Sequence, residues 1–439
     1  MKALYWFTKD LRLQDNPGLT AAAQAEQLLC VFVVQPEWLR PGRYQQRAMS
    51  EQRWLFCWQS LQALEAELKS LGQRLHIALG DPAVVLPALC QQHGLDHCFT
   101  QRNPGSDEQH LWQRLQQAMP SVTLTQVDQH GLFTEADLPI TLAELPPTFS
   151  AFRRRIEKPQ LWSHAVAPEL TELPPAPGFP EDARGLCPAR NTALTLPIAA
   201  GSAAAKAHLY DYTLGQRHLG HYKQTRNHLD DPTGSSHLST WLATGALSAR
   251  TVAHSIRTYE ASHGANDSTY WLWFELLWRE YFLWQAFMLK AKLFSASGLQ
   301  TQRRRGAFYP HRFKAWTAGT TEWPLVNAIM NQLRETGLIS NRSRQIAASA
   351  LIYDLDLDWR YGAAWFESCL LDYEVGSNWG NWQYIAGVGA DPRGGRHFNI
   401  EKQTEQFDPK GAYIERWHGV AEQPVQRHTV DAADWPLGY

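Results

Sequence analysis

Cysteine is sparse in this chain of 439 residues, and none of it is paired. Cys30, Cys57, Cys90, Cys98, Cys187 and Cys369 include no CxxC and no metal-ligand spacing. That excludes the usual zinc and iron–sulfur arrangements and reads as reduced, cytoplasmic thiols. No apolar run approaches the ~20 residues of a membrane helix. The start, MKALYWFTKDLRL, carries charge too early for a signal-peptide core, so a soluble cytoplasmic protein is expected. Charge of either sign is also missing in excess: the net is -2 with 19% charged residues, so there is no disordered or polybasic tail, and any nucleic acid must meet a local basic patch. There is no GxGxxG after the first apolar run, which removes the common dinucleotide site. Internal repeats and low-complexity segments are absent. What the chain does have is tryptophan, 19 of them.

Residues 1–130 alternate short apolar runs with helical patterns. ALYWF (3–7), LLCVFVV (28–34), LHIAL (75–79), HCFT (97–100) and VTLTQV (122–127) read as strands. Between them, SEQRWLFCWQSLQALEAELKSLG places Leu61, Leu64, Leu68 and Leu71 on one helical face and stops at Gly72. Strands alternating with helices predict an α/β domain with a parallel sheet flanked by helices. From 131 to 205 the pattern dissolves into Pro/Gly/Ala-rich stretches, PELTELPPAPGFPED and IAAGSAAAK, expected to be a linker, with one basic aromatic island, TFSAFRRRIEK. Residues 206–420 carry helical stripes throughout and predict an all-α domain; 421–439 read as a surface tail.

Four stretches resist a purely structural reading. In YWLWFELLWREYFLWQ, Trp271, Glu275, Trp278 and Phe282 share a helical stripe, so a carboxylate lies among aromatics. An exposed i,i+4 pair of Glu275 with Arg279 is one explanation. A surface for a flat heterocycle with one hydrogen-bonding acid is the other. In GLISNRSRQIAASALIYD, Asn341, Arg344, Gln345, Ala348 and Ile352 share a face, either a solvated helix start or, with Arg342, a presentation of charge to phosphate. In YKQTRNHLDDPTGSSHLSTWL, hydroxyls at 233–239 flank a helix start expected near 237, with Tyr222, Lys223 and Arg226 upstream; this suits a phosphate or pyrophosphate. In DYEVGSNWGNWQY, tryptophans alternate with Asp372, Glu374, Asn378 and Asn381, polar groups that a dry core does not accept unpaired.

Together these stretches resemble the photolyase/cryptochrome family, specifically its DASH-type cryptochromes. The motifs are WFTKDLRLQDN, YKQTRN, ELLWREYF, WPLVNAIMNQLRETGLISNRSRQIAASAL, DWRYGAAWFESCLLDYEVGSNWGNW and FNIEKQTEQFDPKGAYIERW, spread over nearly the whole chain. The resemblance implies an α/β domain, a linker and a helical domain holding FAD. It implies a blue-light-driven deoxyribodipyrimidine photolyase that repairs cyclobutane pyrimidine dimers in DNA, single strands preferred. By that resemblance Tyr222, Ser235, Ser236, Leu238 and Ser239 hold the FAD diphosphate and its neighbourhood. Arg344 and Asp372 form an ion pair beside the flavin, Asn378 faces flavin N5, and Glu374 stands where the family has aspartate. Trp382 and Trp359 match the inner members of an electron-carrying tryptophan chain. Its outer position falls at Gly306, with Phe308 and Tyr309 close by. Glu275, Trp278 and Gln345 line the substrate pocket, while Arg226, Arg279, Arg342 and Arg396, with Asn341 beside them, meet DNA. The folate antenna, methenyltetrahydrofolate, is assigned to Glu108 of QRNPGSDEQ, whose flanks depart from the family pattern, as does GSSHLSTWL. The paired histidine motif of the (6-4) branch is absent around Asn341. A rival reading is a photoreceptor signalling by flavin reduction, against which the short C-terminus argues because plant and animal sensors carry long extensions; a third is a light-insensitive flavoprotein.

Overall fold

The structure, a computed structural model, describes residues 1–42, 47–180, 182–191, 193–300, 306–390 and 394–429. The five apolar runs form one parallel sheet of β1 (Lys2–Phe7), β2 (Gln27–Val34), β3 (Leu75–Leu79), β4 (His97–Gln101) and β5 (Thr123–Val127), ordered β3-β2-β1-β4-β5. Successive strand residues face opposite sides, so β1 sends Ala3, Tyr5 and Phe7 one way and Leu4 and Trp6 the other. Helices α1 (Pro17–Ala22) and α2 (Glu51–Ser70) cover the first face through Leu19, Trp54, Leu61, Leu64 and Leu68. Helices α3 (Pro82–His93) and α4 (Ser106–Ala118) cover the second through Leu86, Leu89 and Leu115. Covering both faces is what a parallel sheet needs.

The strand order reverses between β1 and β4, the place where open α/β sheets usually leave a ligand crevice. Here the helical half closes it. Leu11 N–H donates to the Thr244 carbonyl at 3.2 Å and Arg12 Nη1 to the Gly245 carbonyl at 3.0 Å. Gly245 has φ +72°, and a Cβ there would lie 2.0 Å from the Lys9 carbonyl oxygen, so only glycine fits.

Between residues 131 and 205 the chain is mostly irregular, as its composition predicts. The basic aromatic island forms α5 (Phe149–Glu157), which buries Phe149, Phe152 and Ile156. The next helix, α6 (Ser202–Tyr210), starts four residues before the expected boundary at 206. The reason is local: SAAAK, taken with a linker, is an alanine run that favours helix once Gly201 has turned the chain. Then follow α7 (Tyr222–Thr225), α8 (Ser239–Thr244), α9 (Ala249–His263), α10 (Asp267–Leu289), α11 (Pro310–Ala318), α12 (Pro324–Thr336), α13 (Asn341–Ser349), α14 (Trp359–Cys369), α15 (Val375–Ala386), α16 (Ile400–Phe407) and α17 (Ala412–Arg416). The described residues of this half contain no strand longer than an isolated bridge. Of the expected tail, 430–439 lie outside the described residues.

Two buried charges fasten the halves together. Asp15 accepts from Arg250 Nε at 2.9 Å, both side chains almost fully enclosed. Glu280, on α10, accepts from the backbone N–H groups of Leu132 and Phe133 at 2.7 and 3.2 Å and from Trp284 Nε1 at 2.8 Å. Among the described residues no helix is long and apolar enough to cross a membrane, and no cluster of His, Cys, Asp and Glu could hold a metal.

Candidate active site

A cavity opens between α8, α10, α13 and α15. One face of α13 supplies Asn341, Arg344, Gln345 and Ala348, as read from their spacing; Ile352 continues into the apolar core instead. From α10 come Leu272, Glu275, Leu276 and Arg279, again one helical face. Asp372 and Glu374 lie on the loop before α15, which adds Asn378, Asn381, Trp382 and Ile385. Tyr222, Ser235, Ser236, Leu238 and Ser239 complete the wall. Ser239 is the first residue of α8, two later than expected, because His237 has φ +50° and cannot continue a helix.

Most of the wall's charges are already partnered. Arg344 Nη2 donates to Asp372 Oδ2 at 2.8 Å and to the Ile339 carbonyl. The i,i+4 pair of Glu275 with Arg279, one of the two readings of that stripe, does not form. Glu275 instead accepts from Arg226 Nη1 at 2.7 Å and from Trp271 Nε1 at 3.2 Å, while Arg279 turns to Glu374 at 3.4 Å and to the His130 carbonyl at 3.0 Å. Burial raises the Glu275 carboxyl above its ordinary range, and Arg226 draws it only part of the way back. Burial works in the same direction on Glu374, but Arg279 and His130 outweigh it and hold that carboxyl far below the usual range.

His130 is the site's link to the α/β half. Its Nδ1 accepts from Gln101 Nε2 at 2.9 Å and its Nε2–H donates to Glu374 at 2.5 Å. Burial and then Arg279 depress the imidazole, and these two partners fix which ring nitrogen carries the hydrogen of its neutral form. Ser377 Oγ donates to the other Glu374 oxygen at 2.7 Å.

The tryptophans are packed beside the cavity. Trp382 reaches its wall because Gly362 leaves room: a Cβ there would sit 2.3 Å from the indole. Trp359 is buried 5.8 Å edge-on from Trp379, and Trp316 lies 6.3 Å from Trp382. At Gly306 there is no ring, and Phe308 stacks on Tyr361 at 4.1 Å.

Several expected residues do not line the cavity itself. Trp278 lies face to face with Phe149 of α5 at 3.8 Å and edge-on to Tyr384 at 5.8 Å, so the linker island covers one of its faces. Arg396 donates to the Tyr384 hydroxyl at 2.8 Å, Arg342 lies over Phe398 and Phe407, and Arg226 stands behind Glu275. Glu108 pairs with Lys9, whose ammonium is 5.8 Å from the Tyr373 ring on the cavity wall. Sequence reasoning passed over His130, His237 and Tyr373. His237 stood inside a quoted motif, but His130 carries no local signal.

Comparisons with known proteins point to one family. The family described as "FAD binding domain of DNA photolyase" matches residues 271–432, and "DNA photolyase" matches 3–177. The chain is 44% identical to a cryptochrome DASH of Idiomarina loihiensis, over 99% of this chain and 96% of that protein. It is 43% identical to one of Vibrio parahaemolyticus, over 99% and 97%. The crystal structure of a Synechocystis cryptochrome superposes with a TM-score of 0.89 at 35% identity, covering 95% of this chain and 88% of that one. A bacterial class III photolyase from Agrobacterium tumefaciens gives 0.80 at 28% identity, covering 95% and 86%.

The cavity fits FAD on its own chemistry. Asp372 Oδ1 is a buried acceptor with no donor in the protein, as a site for a polar ligand requires. Hydroxyls cluster at Ser235, Ser236 and Ser239, while Phe366, Leu370, Trp382 and Ile385 make an apolar wall suited to a fused ring. A parallel sheet closed by a helical half, a cavity of this composition and full-length similarity to DASH proteins lead to one assignment: the chain belongs to the photolyase/cryptochrome family, in its DASH cryptochrome branch.

Proposed function

We propose that this protein is a light-driven photolyase that repairs cyclobutane pyrimidine dimers in DNA and prefers single strands. The observation that carries it is Glu275. Its carboxylate stands in the wall of the same cavity as Asn378, raised by burial and held in place by Arg226 and Trp271. A dimer's carbonyl and imide groups need a hydrogen-bonding acid set among apolar surfaces, and this position provides one. Extracting the lesion from the stack costs least in an unpaired strand, which supports the strand preference.

Reduced FAD, when bound, supplies the light-excited electron that opens the dimer ring and is returned when the ring has split. The chain's residues provide its setting. Tyr222, Ser235, Ser236, Leu238 and Ser239 hold the diphosphate end. The Arg344–Asp372 pair offsets charge beside the ring, and Glu374 fixes Arg279 next to it. Asn378 presents its side-chain oxygen as an acceptor toward the ring. Asn341, Gln345 and Arg279 border the dimer, and Trp278 with Tyr384 forms the outer wall. Arg226, Arg342 and Arg396 meet backbone phosphates around the mouth. Trp382 and Trp359 bring in electrons that restore the reduced cofactor.

The test is repair of a single thymine dimer in an oligonucleotide, under blue light with pre-reduced protein and a dark control. Repair of the single strand well above that of the duplex is the expected result. Absence of repair in both, by protein that retains reduced FAD, would replace this reading with a photoreceptor.

A further inference from the structure

His237 is the histidine of the cavity wall, and the roles above leave it unused. It lies in the cavity wall between Ser236 and Leu238 and adopts φ +50°, a conformation that L residues avoid and histidine tolerates better than most. Ser235, Ser236 and Ser239 line the same cavity and are the hydroxyls proposed above to hold the FAD diphosphate; the inference rests on that placement.

A diphosphate brings about two negative charges, and among the described residues that line the wall no arginine or lysine is left without a carboxylate partner. Three carboxylates line the cavity: Glu275, Asp372 and Glu374. Each already holds a guanidinium: Arg226, Arg344 and Arg279 respectively. What remains is His237. The charged and titratable groups that act on it are His208 from α6, whose Nε2 donates to the Ser236 carbonyl, Arg344 from α13, Asp372 from the loop before α15, and Asp231 upstream. Burial and then His208 keep the imidazole below its ordinary range.

We propose that His237 is the counter-cation of the FAD diphosphate, taking up one proton from solvent when the cofactor binds. The proton stays on the imidazole while FAD is held and returns to solvent on release. FAD is therefore held more tightly in acid than in alkali. Between the free and bound pKa of one such group, affinity falls by up to about tenfold per pH unit.

The experiment uses the full-length holoprotein. It is diluted at a series of pH values from acid to mildly alkaline, and free flavin is read by its fluorescence. The expected result is an apparent Kd for FAD that rises with pH through the neutral range. In His237→Asn, which keeps a residue tolerant of positive φ, the curve flattens and binding is weak throughout. A flat curve for the unaltered protein would overturn the proposal without help from any variant. A slope that survives His237→Asn would assign the proton to another group, His208 first, and overturn it as well. If the purified protein retains no flavin at any pH, the placement of the cofactor falls and this inference falls with it. Tight but pH-independent binding removes the inference alone.

Discussion

Asn378 donates its side-chain amide to the carbonyl oxygen of Ala363, 3.0 Å away on the neighbouring helix. A carbonyl can only accept, so the amide nitrogen faces Ala363 and commits one of its two N–H groups there. In the role proposed above, the side-chain oxygen is then the acceptor offered to the cavity, which suits a ring that carries a proton at N5 in its reduced form. Asn378→Asp puts a carboxylate oxygen against the Ala363 carbonyl and removes that bond. The expected cost is about 1–3 kcal/mol of stability, together with faster reoxidation of reduced flavin in air. Thermal melting and the decay of the reduced absorption spectrum measure the two effects separately.

Glu275→Gln keeps the shape of the cavity wall and removes the charge that holds Arg226. A hydrogen bond to a charged group contributes about 1.5–3 kcal/mol, so binding of a dimer-containing oligonucleotide should weaken roughly tenfold or more. Repair per absorbed photon should fall with it. FAD content, read from the absorption of the denatured supernatant, should not change. Unchanged repair at saturating DNA would remove Glu275 from the chemistry and leave it a wall residue.

The fold was legible where the signal is local, and the site was legible only in part. The five strands of the sheet announce themselves as apolar runs, and the face of α13 from Asn341 to Ala348 follows from its spacing. Glu275 was visible as an acid on an aromatic stripe, but its partner was not: the local alternative, Arg279, is four residues away, and the partner it has, Arg226, is 49. Pairing across that distance depends on how α7 packs against α10, which no helical period encodes. His130 and Glu374 are separated by 244 residues and meet only because the two halves close on one another. Gly245 is equally silent in the sequence, since its role comes from the nearness of Lys9. The start of α8 was placed two residues early because the hydroxyls of a capping motif are visible in sequence and the left-handed turn at His237 is not.

Trp382→Phe should abolish light-driven reduction of FAD in the presence of an external thiol reductant. Repair by dithionite-reduced protein should be preserved, because in the proposed reaction the dimer takes its electron from the cofactor and not from the tryptophan chain. Absorption spectra under blue light follow the first, and the repair assay follows the second. Installing an outer tryptophan at position 306 should not accelerate photoreduction. A Cβ at Gly306 would lie 2.9 Å from the Asp358 Cα, so Gly306→Trp forces the backbone apart beside Trp359.

Stability should peak in mildly acidic solution, because two buried carboxyls act in opposite directions. Burial lifts Glu280 to about 7 against the donors from Leu132, Trp284 and Phe133. A carboxyl raised in the folded state gives stability that is complete below its unfolded value and lost as pH rises through its folded value. For a shift from 4.5 to about 7 the loss is on the order of 3 kcal/mol, spread between roughly pH 4.5 and 7. Glu374 is depressed, so its contribution is present above the unfolded value and lost as pH falls below it. Melting temperature measured from pH 4 to 9 should therefore rise and then fall. Glu280→Gln should remove the alkaline decline, at a cost at every pH, since an amide N–H would face the Leu132 N–H that the carboxylate now accepts. A decline that persists in Glu280→Gln would mean that the halves are loosened by some other group. The seam itself would then be tested by Asp15→Asn, which leaves Arg250 buried without its counter-charge, an arrangement that costs about 3–5 kcal/mol.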